Sequence, residues 1–160
     1  AVPSRLGADI AAQVRKRSAH RETPGVPEMR AGGAPARSAL DGVTCVDCHN
    51  PHLGDDAPAE APYAGGALRG VSGVDRNGLR VDAVRYEYEV CLKCHGDNST
   101  DLDFVPRVLR DTDKRRAFDP SNQSFHPVIA MGRNMNVPSL PSSLEPTMLP
   151  SSRMNCSSCH

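Results

Sequence analysis

Apolar positions along this chain are sparse and fall in short runs, of which two have a recognisable period. Over residues 6–20, Leu6, Ile10 and Val14 lie four apart, with Asp9 early and Arg15, Lys16 and Arg17 late, the charge order that a helix dipole favours; a short helix is predicted there. Over residues 81–90, Val84, Tyr86, Tyr88 and Val90 alternate as a strand does, but the segment runs straight into a Cys-x-x-Cys-His, a pattern that sits on a helical turn, and a helix is expected. Residues 101–118 include a charged stretch that predicts one more short helix. Residues 23–42 and 54–80 are rich in Gly and Pro and read as extended loop, with Asn77-Gly78 marking a tight turn. The stretch to residue 155 is Pro-, Ser- and Met-rich coil around Phe125-His126-Pro127-Val128. The fold class this predicts is mostly irregular coil with a few short α-helices. No apolar run approaches the ~20 residues that span a membrane as a helix.

Composition makes the picture starker. The 160 residues include no Trp, three Tyr and three Phe, against 13 Gly and 14 Pro. The mean hydropathy is −0.46. A bare polypeptide of this makeup is close to disordered, so something other than side chains is expected to supply the core. The formal net charge is zero, which implies neither nucleic acid nor an anionic membrane as a partner.

The missing core is suggested by the cysteines. All six fall in three copies of Cys-x-x-Cys-His: Cys45 and Cys48 before His49, Cys91 and Cys94 before His95, Cys156 and Cys159 before His160. This is the attachment signature of c-type haem: two thiols at this spacing form thioethers with the two vinyl groups of one porphyrin, and the His that follows falls under the iron. With six His in 160 residues, a His follows a given position by chance about 4% of the time, so three in three has a chance on the order of 1 in 10,000 or less. A Cys₄ zinc site would strand the third pair and has no use for the repeated His. Cys-x-x-Cys loops are also poor structural disulfides. Three haems therefore serve as the expected core, and the apoprotein is expected not to fold. Thioether attachment takes place beyond the cytoplasmic membrane, so an extracellular or periplasmic location follows, with Ala1 near a processing point.

Three histidines remain, His20, His52 and His126, one for the second axial position of each iron. For each the alternative is an ordinary loop or surface His. Met29, Met131, Met135, Met148 and Met154 are alternative ligands that the balanced His count does not require. His52 lies three residues after His49 and cannot round the ring to the same iron, so as a ligand it serves a different haem and brings two haems close. His20 precedes Cys45 by 25 positions and His126 precedes Cys156 by 30, a partial repeat. Among Arg69, Arg76, Arg80, Arg85, Arg107, Arg133 and Arg153, some are expected to hold haem propionates, the alternative being solvated surface. Asp47 and Asp97, beside the motifs, read as solvated charges. The chain divides into an N-terminal arm, residues 1–40, and a triple-motif domain, residues 41–160, the latter made of a two-haem unit (41–100) and a third-haem unit (101–160).

The segments CVDCHNPH, YEVCLKCHGD, SFHPV and GRNMNVPSL…CSSCH resemble the doubled-CxxCH family of multihaem c-type cytochromes over roughly residues 40–160. The resemblance implies a coil-rich chain wrapped around a stack of bis-His haems, with electron transfer as the activity and no enzymatic turnover. It makes His49, His95 and His160 proximal ligands and puts His52 and His126 at distal positions. Some cytochromes of similar economy polymerise into extracellular filaments in which a His of one subunit ligates a haem of the next, and His20, at the start of a flexible tether, is the residue expected to do so here. Redox proteins or extracellular acceptors are the expected partners. The alternatives are a soluble periplasmic shuttle and a reductase with one five-coordinate haem. In the family a further Pro-His and haem motif follow a CxxCH of the last type; here the sequence stops at His160, and the balanced His count favours a whole three-haem protein over part of a longer one.

Overall fold

The computed structural model describes Ala12 and residues 43–96, 113–138 and 148–159. Ala12 is helical; the other residues of the helix expected over 6–20, the loop 23–42, most of 101–118, His20 and His160 lie outside the described residues. The chain divides into two units, Ala1–Asp47 and Cys48–His160. In the first, the Asp47 carboxylate accepts from the Thr44 backbone N–H at 2.8 Å and from its hydroxyl at 2.7 Å. This local cap, a relative of the capping box, starts helix α1, Cys45–Cys48.

The second unit is built around helix α2, Glu87–His95, which contains the second Cys-x-x-Cys-His. Its start is fixed by Glu89, whose carboxylate reaches back to the N–H groups of Arg85 (2.7 Å) and Tyr86 (3.0 Å). Acidic Glu87 and Glu89 in the first turn and basic Lys93 and His95 in the last complement the dipole. The helix expected over 81–90 therefore begins only at Glu87. Val81 belongs to a strand, and Tyr86 is extended and bridges to Tyr63. Residues 82–85 between them are bends and coil, so the alternation does not form a strand, and the Glu89 cap starts the helix after Tyr86.

Strands β1 (Gly73–Val74) and β2 (Arg80–Val81) pair antiparallel, Gly73 opposite Val81. The tight turn at Asn77-Gly78 joins them. The Asp75 carboxylate accepts from the N–H groups of Asn77 and Leu79, both at 2.8 Å, and these bonds hold its pKa below the ordinary value. Gly73 lets β1 lie against α2, since a Cβ there would stand 2.7 Å from the Glu89 carbonyl oxygen. Short helix α3, Lys114–Ala117, is capped by Asp113, which accepts from Arg116 N–H at 3.2 Å.

On α2, Tyr88 and Leu92 are one turn apart and pack with Val128 and Ile129; Val74, Phe118, Met154 and Cys156 border them. With Val71 and Val90 these are the buried apolar side chains among the described residues, and none is completely sealed from solvent. All three tyrosines of the chain form one column: Tyr63 on Tyr86 at 5.6 Å and Tyr86 beside Tyr88 at 5.5 Å between ring centres. The Arg153 guanidinium lies 4.5 Å over the Tyr86 ring and donates Nε (3.2 Å) and Nη2 (2.9 Å) to the Val128 carbonyl. These contacts, with Met154 N–H to the Pro127 carbonyl at 3.0 Å, fasten the C-terminal segment to the core. Apart from two 3-10 turns, Gly66–Leu68 and Cys156–Ser158, the other described residues are turns, bends and coil.

Candidate haem-attachment site

Two thiols three residues apart project to one side when the chain between them makes a helical turn. All three pairs have this local form. Cys45 and Cys48 bound α1, Cys91 and Cys94 lie on α2, and Cys156 opens a 3-10 turn (Cys156–Ser158) that Cys159 closes through its N–H to the Cys156 carbonyl at 3.2 Å. In each pair one thiol is half-buried (Cys48, Cys91, Cys156) and the other exposed (Cys45, Cys94, Cys159); none forms a disulfide.

Four of the histidines expected as ligands lie among the described residues, and all four are exposed. His49 is exposed, and its Nδ1 lies 2.9 Å from the Ala67 carbonyl oxygen. A carbonyl only accepts, so Nδ1 is the donor in this bond and Nε2 is the ring nitrogen left to face a metal. His95 is exposed at the C-terminal end of α2. His52 is exposed on a turn organised by Asn50, whose side chain accepts from His52 N–H (3.0 Å) and donates to the Gly70 carbonyl (3.2 Å). His126 is exposed, with Phe118 edge-on at 6.5 Å, and Phe125 lies under Arg133.

The second and third motifs meet. Carboxylate oxygen of Glu87, Sγ of Cys91 and Sγ of Cys156 all lie within 4.8 Å of one another. Glu87 is 8% exposed, and its carboxylate accepts from the Ser157 N–H at 2.9 Å and the Ser157 hydroxyl at 3.0 Å. The hydrogen bond between the thiols, burial and the nearby Glu87 push the Cys91 thiol up, while donation from Cys91 draws Cys156 down against burial. Burial raises the Cys48 thiol, with Lys93 lowering it and Cys94 raising it again, so the first motif's second thiol lies within electrostatic reach of α2. Helix α2 is the hub. This trio is a two-thiol, one-carboxylate group; among the described residues no four-cysteine cluster exists.

One reading changes. Asp47 is a half-buried capping acceptor rather than a solvated charge, and Asp97 lies outside the described residues. Arg69 pairs with Asp55, Arg80 lies 3.4 Å from Asp82, Arg85 stacks over Tyr63 and Tyr86, and Arg133 over Phe125. Arg76 and Arg153 line a cavity of about 260 Å³ with Tyr86 and Tyr88. Arg107 is outside the described residues. Met131 and Met135 are exposed, and Met154 packs against the core. Glu87 and Ser157 were not singled out by sequence reasoning. The only hint was that Glu87 precedes Cys91 by four, one helical turn, and nothing along the chain points from it to Ser157.

Comparison with known proteins gives no match to a family model, to a curated protein or to a solved structure. Among the described residues no helix is long and apolar enough to cross a membrane.

Proposed function

We propose that this chain binds three c-type haems and transfers electrons through them outside the cytoplasm. The observation that carries the reading is the local form of the three Cys-x-x-Cys pairs, each on a helical turn, with Cys48, Cys91 and Cys156 gathered about α2. Cys45 and Cys48, Cys91 and Cys94, and Cys156 and Cys159 hold the groups; His49, His95 and His160 are the proximal ligands, and His20, His52 and His126 the distal ones. Haem, when bound, supplies a reversible one-electron couple at iron. The chain's own part is placement. The Ala67 carbonyl fixes the ring of His49 and its tautomer, and Asn50 fixes the turn that presents His52. Exposed Val46, Leu53, Leu79 and Met131 offer apolar surface that a macrocycle can cover. Were each iron held by two of these imidazoles, no position would be left for a substrate, and transfer rather than turnover would be the activity. In the finer form of this reading the chain is a subunit of a conducting polymer, with His20 donated to a haem of the next subunit.

Intact mass of the native protein tests the reading. It should exceed the 17.1 kDa chain by about 0.6 kDa for each of three haems. Two haems or fewer, or zinc, overturns it. Three haems with a high-spin fraction that binds carbon monoxide would replace transfer by a reductase with one open iron.

A further inference from the structure

We infer that Glu87 is a positioning residue that locks the second attachment site to the third and lowers the reduction potentials of the two haems they carry; this rests on the haem reading above. Glu87 lies on the first turn of α2, four residues before Cys91, and 70 positions before its partner Ser157. Its carboxylate takes both donors that Ser157 offers, so the loop inside the third motif is held by a side chain from the helix that bears the second. A carboxylate oxygen and the two sulfurs Cys91 Sγ and Cys156 Sγ share one site no wider than 4.8 Å. A thioether sulfur is two bonds from the porphyrin edge. A negative charge at that place therefore acts on both macrocycles from a half-dry setting, where screening is weak. It favours the ferric iron of each, which carries one more positive charge than the ferrous, and so lowers the potentials. Cys48 of the first motif is within electrostatic reach of Cys91 but is not one of the three residues that share the site.

The test is redox titration of the holoprotein with Glu87→Gln and Ser157→Ala. Gln keeps the length and one acceptor but removes the charge. The ferric-to-ferrous ratio at a fixed applied potential should fall on the order of tenfold for two of the three haems, a rise of about 59 mV for a one-electron couple. The haem on Cys45 and Cys48 should move least. Ser157→Ala removes the hydroxyl that partly neutralises the carboxylate, and the same two potentials should move the opposite way, downward. A purely structural bridge is loosened by both variants and would shift potentials in one common sense, which overturns the inference, as do unchanged potentials or an equal shift of all three. Should Glu87→Gln fail to mature, the sign of the Ser157→Ala shift decides alone. Native mass is recorded on the same preparations. Fewer than three haems in the unaltered protein speaks against the haem reading, whereas three haems with unmoved potentials speaks against Glu87 alone.

Discussion

Arg153→Met isolates the contact that fastens the third motif's segment to the core. Met keeps the apolar stem and deletes the guanidinium, so the loss is that of the head group. The head makes two charged hydrogen bonds to the Val128 carbonyl, at 3.2 and 2.9 Å, worth together ~1.5–3 kcal/mol against a neutral acceptor. It also lies over Tyr86 at 4.5 Å and Tyr88 at 5.6 Å, and at a half-buried site that adds ~0.5–1 kcal/mol. A loss of about 2–4 kcal/mol follows, and with a urea slope of about 2 kcal/mol/M the unfolding midpoint should drop by about 1–2 M. Arg153→Lys keeps the charge without the fork and should fall between. The assay is urea unfolding of the holoprotein followed by far-ultraviolet circular dichroism, at low salt and in 1 M NaCl. The partners are a carbonyl and two rings rather than a carboxylate, so salt should leave the difference standing, whereas any contribution from the exposed Arg69–Asp55 pair should vanish. A Met variant that unfolds at the wild-type urea concentration refutes the reasoning.

Leu92→Ala removes a 4%-exposed side chain from the centre of α2 and should cost about 2–5 kcal/mol in the same assay, the low end applying if the shallow core collapses into the gap. Gly70→Ala forces a side chain onto a backbone at φ 72° and against Leu53, so the turn carrying His52 should loosen, read as faster hydrogen exchange at the His52 and Gly54 amides. Asp75 has a folded pKa below its ordinary 3.8, so its contribution is complete above about pH 4 and is lost as pH falls through the lowered value; the Leu79 amide should exchange faster across that acid window and be unaffected between pH 5 and 8. His20→Ala should give subunits with one five-coordinate haem and no filaments under negative-stain microscopy; wholly low-spin monomers of the unaltered protein at high dilution would refute donation between subunits.

What the sequence made legible is local. The three motifs announce themselves by spacing, and their helical turns follow from it. Asn77-Gly78 gives the β1–β2 turn, and the high Gly and Pro content gives the coil. The start of α2 was misplaced because alternation through Tyr86 and Tyr88 spans a change of conformation at Glu87, decided by a carboxylate that reaches back three and four residues. The unread parts join positions far apart. Tyr63 meets Tyr86, Arg153 meets Val128, and Glu87 meets Ser157, each across a separation no periodicity encodes. The tyrosine column could not be anticipated from three tyrosines counted as a shortage of aromatic residues. Nor did a list of arginines as propionate partners show that Arg85, Arg133 and Arg153 rest on aromatic rings.

The closeness of Cys91 and Cys156 sets a condition on the order of assembly. Two free thiols within 4.8 Å of each other are a two-electron oxidation away from a bridge between the second and third motifs. The extracellular or periplasmic location proposed above would supply that oxidant. The pair becomes neighbours only when the C-terminal segment docks, and docking waits on contacts such as Glu87 to Ser157, which must close a long loop. On the haem reading proposed above, a chain matured from its N-terminus would have Cys91 in a thioether before Cys156 arrives, and slow long-range closure would act as a timer that protects the chemistry.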